Sequence, residues 1–164
     1  MLAHRRRQPP SGTLANLVGL AVFAVVVAVV ALVGSLAATG SPREYAALDR
    51  PGWAPPAWLF GPVWTVLYVT IAVAGWLVWR RTGMDVVLVP YAVQLVLNAA
   101  WTPLFFGAGA YGLAAIEIVL LWLAIGATVV VFRRVHAGAA WLLLPYWVWV
   151  TYAAALTVAI WWRN

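Results

Sequence analysis

LANLVGLAVFAVVVAVVALVGSLAA, residues Leu14–Ala38, runs without a single charged side chain. A helix rises about 1.5 Å per residue, so this stretch is more than long enough to cross a hydrocarbon core of about 30 Å. Four more apolar stretches follow it, Ala57–Trp79, Val86–Phe106, Tyr111–Phe132 and Ala139–Trp162. Each has about 20 residues or more, the length a spanning helix needs. None alternates polar and apolar residues as a barrel strand does. The fold expected is an all-α membrane protein, a bundle of five transmembrane helices over residues 14–164, behind a basic tail at residues 1–13. Arg5–Arg7, the apolar run and Ala37-Ala38 have the outline of a secretory signal. The run is about twice the length of a signal core, so it is expected to stay as the first span.

Composition agrees. Of 164 residues, 66% are hydrophobic and 9% charged, whereas soluble domains sit near half apolar and a quarter charged. There is no cysteine, which excludes disulfides and thiolate metal sites. The net charge of +6 comes from arginine alone. It does not read as a nucleic-acid surface, because the arginines are short clusters at the ends of apolar runs (Arg5–Arg7, Arg80 and Arg81, Arg133 and Arg134). Such clusters punctuate membrane spans.

The connections Arg80–Asp85, Gly107–Ala110 and Arg133–Gly138 are short, and only Thr39–Pro56 is long. Counting arginines by side gives seven with the N-terminus and three with the C-terminus (Arg43, Arg50, Arg163). The positive-inside rule then expects a multi-pass protein of the cell membrane, N-terminus cytoplasmic and C-terminus outside. Small residues in the first helix (Gly19, Ala21, Ala24, Ala28, Ala31, Gly34, Ser35) and third (Ala92, Ala99, Ala100) allow close helix approach. That approach can lie within one chain or in a homodimer.

With this topology, Trp64 and Tyr68 fall in the outer half of the second helix. Gln94, Asn98, Trp101 and Phe105 form one stripe on the third, and Trp149, Ala153 and Thr157 another on the fifth. The long loop, with Tyr45, Trp53, Pro55 and Pro56, lies above them. Aromatic walls, a few amides and a cover are the components of a ligand pocket. Trp58, Trp79, Trp141, Trp161 and Trp162 are read instead as interface anchors. Gln94 and Asn98 can equally hold helices together. Glu117, the one carboxylate inside a span, is expected within reach of the outer interface, as a hydrogen-bonding or a functional group. Pro62, Pro90, Pro103 and Pro145 are expected to kink their helices.

Three segments carry a resemblance. They are Trp53-Ala-Pro-Pro-Ala-Trp-Leu-Phe-Gly-Pro-Val-Trp64-Thr-Val-Leu-Tyr68, Gln94-Leu-Val-Leu-Asn98-Ala-Ala-Trp101-Thr-Pro-Leu-Phe-Phe106-Gly and Pro145-Tyr-Trp-Val-Trp149-Val-Thr-Tyr-Ala153. In that order they resemble the signatures of the translocator, or tryptophan-rich sensory, family (TspO/MBR). The resemblance implies a five-helix bundle, often dimeric, with a pocket below the first loop. It implies ligands such as porphyrins and haem-like tetrapyrroles, sterols in animals, and synthetic isoquinolines and benzodiazepines. The pocket positions it implies are Tyr45, Trp53, Pro55, Trp64, Asn98, Trp101, Trp149 and Ala153; depth adds Tyr68 and Phe105. Leu156-Thr157 stands where many relatives carry Leu-Asn.

A tetrapyrrole is the ligand expected, and no resident cofactor or metal. Haem iron takes His, Cys, Met or Tyr. His4, His136 and Met84 lie on the inner side and Met1 is terminal, so only tyrosines remain near the pocket, and the macrocycle is expected to be held mainly by stacking on Trp and Tyr rings, without histidine ligation. The sterol motif of Leu or Val, Tyr and a basic residue is missing from the fifth helix, and only a reversed version, Arg43-Glu-Tyr45-Ala-Ala-Leu48, fits in the loop. Function is therefore read as a membrane receptor or sensor for tetrapyrroles or similar amphiphiles, possibly a carrier of them. A light- and oxygen-dependent porphyrin-degrading enzyme using pocket tryptophans is one alternative, and a sterol or lipid translocator is another. No nucleophile–base pair or catalytic residue stands out. Coupled transport has little to draw on with one intramembrane acid and no inverted repeat.

Overall fold

A computed structural model describes residues 12–164, and the Arg5–Arg7 cluster lies outside the described residues. The described residues form α1 (Thr13–Ala37), a short α2 (Ser41–Ala47), α3 (Phe60–Thr82, entered through a 3-10 turn Ala57–Leu59), α4 (Val89–Thr102), α5 (Tyr111–Val135) and α6 (Ala137–Trp161). Five helical segments are long and apolar enough to cross a membrane, α1, α5 and α6 alone and α3 and α4 together with their flanking turns (Ala57–Thr82 and Val86–Gly107), so the five-helix bundle is what the described residues form. Successive passes put Arg80, Arg81, Arg133 and Arg134 at one end, the basic side. They put α2 and the long connection at the other, the loop side.

Each arginine pair sits in the last turn of its helix rather than in a loop. There the positive charge complements the exposed carbonyl end of the helix dipole. Around the bundle the neighbours run α1, α3, α6, α5, α4 and back to α1. The centre is filled by Leu67, Ile71, Leu121, Ile125, Leu143, Tyr146 and Val150. Lipid is as apolar as leucine, so close packing has to hold such helices together. Glycines supply it. A Cβ on Gly75 would stand 2.6 Å from the Tyr91 ring, and one on Gly126 2.9 Å from Trp147. Gly19 receives the Trp79 ring in the same way.

That contact changes the reading of Trp79. It is a half-buried ring packed on α1, against Gly19 and Phe23. Trp58, Trp141, Trp161 and Trp162 are exposed, as belt residues are. The prolines differ from expectation too. Pro62 and Pro90 stand in the first turn of α3 and α4, where a missing N–H costs no helix bond. Pro103 opens a π-helical turn, Pro103–Gly107, that ends the third span. Of these four, Pro145 alone lies in the interior of an α-helix.

Candidate functional site

A cavity of about 620 Å³ lies on the loop side between α1, α3 and α4, with α2 above it. Its size falls in the range of about 300–1,000 Å³ usual for small-molecule sites. From α3 come Trp64 and Tyr68, stacked at 5.3 Å. From the end of α4 come Trp101 and Phe105, stacked at 5.0 Å. The π-turn begun at Pro103 carries Phe105 and Phe106 around the helix end so that both rings reach the cavity. Tyr45 of α2 closes the top. Among the described residues the wall holds no charged side chain, and its side-chain polar groups are hydroxyls and the indoles of Trp64 and Trp101.

Asn98 and Ala153 lie one layer deeper, on a small hollow of about 20 Å³ that shares Trp64, Tyr68 and Trp101 with the main cavity. Asn98 is buried and works in both directions. It accepts from Tyr68 Oη at 3.1 Å and donates to Tyr146 Oη at 3.0 Å, which donates in turn to Gln94 Oε1 at 2.9 Å. This chain ties α3, α4 and α6 together and fixes the Tyr68 ring in the cavity wall. Tethering helices and shaping the cavity are therefore one role.

Trp53, Pro55 and Trp149 do not line the cavity. They hold its cover. The Pro55 carbonyl accepts from Tyr45 Oη at 3.1 Å, and the Trp53 carbonyl accepts from Tyr152 Oη at 2.9 Å. Rings run in edge contact from Tyr45 to Phe60 to Trp149, then by way of Tyr152 to Trp53, each step between 5.5 and 5.9 Å. The Arg50 guanidinium lies 4.5 Å over the Tyr45 ring. Burial pushes the Tyr45 phenol above its ordinary range, with Arg50 pulling the other way, so it stays a donor at neutral pH. The loop is also clasped to the end of α6. Asp49 N donates to Asn164 Oδ1 and Asn164 Nδ2 donates to the Asp49 carbonyl, both at 3.1 Å, while Arg163 lies 3.6 Å from the Asp49 carboxylate.

Sequence reasoning missed the α1 wall, Ala28, Ala31, Gly34, Ser35 and Ala38. Their spacing was visible, but small residues were read only as contact makers. Phe60 and Tyr146 were also missed, although Phe60, Trp64 and Tyr68 recur every fourth residue on one helix face. Glu117 departs from expectation. It stands in the second turn of α5, at the expected depth, but it is only 8% exposed, and neither carboxyl oxygen has a hydrogen-bond partner among the described residues. No group of three or more His, Cys, Asp or Glu is gathered among the described residues.

A helical bundle with an aromatic-walled cavity toward one end defines a class, multi-pass membrane proteins that enclose a hydrophobic cavity. The TspO/MBR family profile matches residues 21–163, and the chain belongs to that family. It is 40% identical over 127 residues to the human translocator protein, covering 74% of this chain and 75% of that one. To the tryptophan-rich protein TspO of Chlorobaculum tepidum it is 38% identical over 136 residues, 78% of this chain and 86% of the relative. To protein CrtK of Rhodobacter capsulatus it is 35% identical over 153 residues, 88% and 94% of the two chains. Membership supports a membrane sensor or translocator role.

Proposed function

We propose that the chain is a membrane receptor for tetrapyrroles or similar flat amphiphiles, held in the loop-side cavity, with the basic side facing the cytoplasm. The observation that carries this reading is the cavity wall. Two stacked aromatic pairs, Trp64–Tyr68 and Trp101–Phe105, face a space of about 620 Å³ without a charged group. A macrocycle is large, planar and apolar, and ring stacking adds about 0.5–1.5 kcal/mol per contact beyond its area burial. Its polar substituents would then point to the loop, where Ser41 and Tyr45 stand. His136 and Met84 belong to the basic side, so the macrocycle sits there by stacking and not by histidine or methionine ligation.

The test is a titration of purified protein with protoporphyrin IX, with and without iron, read by tryptophan quenching in darkness and in light. Both ligands are expected to saturate with similar affinity. Trp101→Phe, which narrows one stacking surface, is expected to weaken them about two- to tenfold. A large preference for the iron form overturns the stacking mode. Light-dependent bleaching abolished by Trp64→Phe assigns degradation instead of binding alone, and no quenching in any sample overturns the tetrapyrrole reading.

A further inference from the structure

Glu117 is buried in α5 with both carboxyl oxygens unpaired among the described residues, and nothing in the cavity wall accounts for it. Its direction follows from the helix. Gly126 and Trp122 of α5 take the Trp147 ring of α6, while Ile118, Leu121 and Ile125 fill the centre. Glu117 precedes Gly126 by nine residues, about two and a half turns, so it points away from α6 and toward the other neighbour, α4. At that level of α4 stands Trp101. Ile118, the residue after Glu117, shares the small hollow of about 20 Å³ with Trp101 and Asn98.

The carboxyl has one donor within reach. Among the described residues, the buried side-chain N–H groups without a partner belong to Gln94, Trp101 and Trp149. Gln94 lies seven residues before Trp101, about 10 Å further toward the basic side. Trp149 is packed between Phe60 and Tyr152. The phenols donate elsewhere, Tyr68 to Asn98, Tyr146 to Gln94 and Tyr91 to the Ile71 carbonyl. Of these, Tyr146 lies within electrostatic reach of Glu117, and Tyr111 of α5 packs on Phe105. Arg80, Arg81, Arg133, Arg134, His136 and Arg163 stand at the ends of α3, α5 and α6, and α4 carries no charged residue.

We propose that Glu117 is a proton site coupled to the cavity. The neutral acid leaves Trp101 stacked on Phe105 in the cavity wall, and the ionised carboxylate draws the Trp101 indole N–H to itself and breaks that stack. An unpaired buried charge is costly and a neutral carboxyl far less so. The stack at 5.0 Å, with the indole N–H and the carboxyl both unpaired, is therefore the arrangement of the neutral form. When the proton passes to solvent, the carboxylate gains from a charge-assisted bond, about twice as strong as a neutral one. The hollow beside Trp101 gives the ring room to turn. A ligand that stacks on Trp101 selects the neutral form and takes up one proton. Its affinity is highest at low pH and falls as Glu117 of the empty protein ionises, by up to about tenfold per pH unit. The coupling to ligand rests on the tetrapyrrole reading of the cavity, and the proton site does not.

Heteronuclear NMR of the ligand-free protein in detergent micelles, from about pH 5 to about pH 9, tests the site. The Trp101 indole cross-peak, identified by its loss in Trp101→Phe, is expected to move downfield as pH rises. Carbon-13 labelling of glutamate carboxyls gives two resonances, since Glu44 and Glu117 are the only glutamates. The Glu117 resonance, told apart by Glu44→Gln, is expected to titrate with the same midpoint as the indole. In Glu117→Gln the indole peak is expected to stay in place. A Trp101 peak that does not move in wild type, or that moves equally in Glu117→Gln, overturns the proposal. So does a Glu117 carboxyl that does not titrate in this range, a reading that needs no variant at Glu117 to fold. Protoporphyrin IX quenching then reads the coupling. The affinity of wild type relative to Glu117→Gln is expected to fall at least fivefold across the range, and a constant ratio overturns the coupling. No quenching at any pH sinks the tetrapyrrole reading, and the ligand-free spectra still decide the proton site.

Discussion

Asn98 shows at the scale of one residue how stability and site geometry are joined. Replacing it with alanine leaves Tyr146 donating to Gln94 but removes both bonds that reach across to α3 and α6. Hydrogen bonds between membrane helices are worth about 0.6 kcal/mol on average and up to about 1.7. Asn98→Ala is therefore expected to lower the melting temperature in detergent and to weaken porphyrin quenching, since Tyr68 loses its anchor. Thr157→Val is the contrasting case. The Thr157 hydroxyl donates only to the Ala153 carbonyl of its own helix, so its loss is expected to leave melting nearly unchanged. Asn98 was legible in the sequence because spacings of four, three and four place Gln94, Asn98, Trp101 and Phe105 on one face. Tyr146 was not, because which ring of Pro145-Tyr-Trp-Val-Trp149 turns inward depends on how α6 packs on its neighbours. The same limit separated Trp149 from the cavity it was expected to line. Its ring is taken up between Phe60 and Tyr152.

Between elements, the contact of α1 with α3 and α4 is set by absent side chains. Gly75→Ala would drive a methyl to 2.6 Å from the Tyr91 ring and 2.8 Å from Phe23. Overpacking of this kind costs about 1–3 kcal/mol, and a matching fall in thermal stability is expected, with porphyrin affinity little changed because Gly75 is remote from the loop side. The cover behaves differently. Its clasp is two exposed amide bonds and one ion pair at 3.6 Å, with side chains about half exposed. Exposed pairs of this kind contribute about 0–1 kcal/mol and neutral hydrogen bonds about 0.5–1.5 each. Asn164→Ala should therefore open the loop more often without touching the cavity wall. Stopped-flow quenching is expected to show faster association and faster release together, by about two- to tenfold, at nearly constant Kd. Faster release alone would mean that Asn164 acts on the bound ligand and not on the cover. The lid was legible as a long loop above converging aromatics. Its clasp was not, since nothing in the spacing of Asp49 and Asn164 says that residues 115 apart meet.

For the whole molecule, hydropathy alone decided the five passes, while orientation depends on a small charge difference. Among the described residues the basic side carries four arginines, Arg80, Arg81, Arg133 and Arg134, and the loop side three, Arg43, Arg50 and Arg163. Arg5–Arg7 raise the first count to seven. The positive-inside rule weighs basic residues near the span ends and takes little account of acids, so Asp85, Glu44 and Asp49 do not restore the balance. Changing Arg5, Arg6 and Arg7 together to glutamine should leave the bundle able to insert either way. The natural absence of cysteine permits a direct reading, because single cysteines placed at Met84 and at Ala108 report opposite sides. In intact cells an impermeant maleimide is expected to label Ala108→Cys and spare Met84→Cys in the parent sequence. With the three N-terminal arginines removed, labelling of Met84→Cys should appear in part of the population. Exclusive labelling of Met84→Cys in the parent would reverse the proposed orientation while leaving the cavity and its cover where the packing puts them.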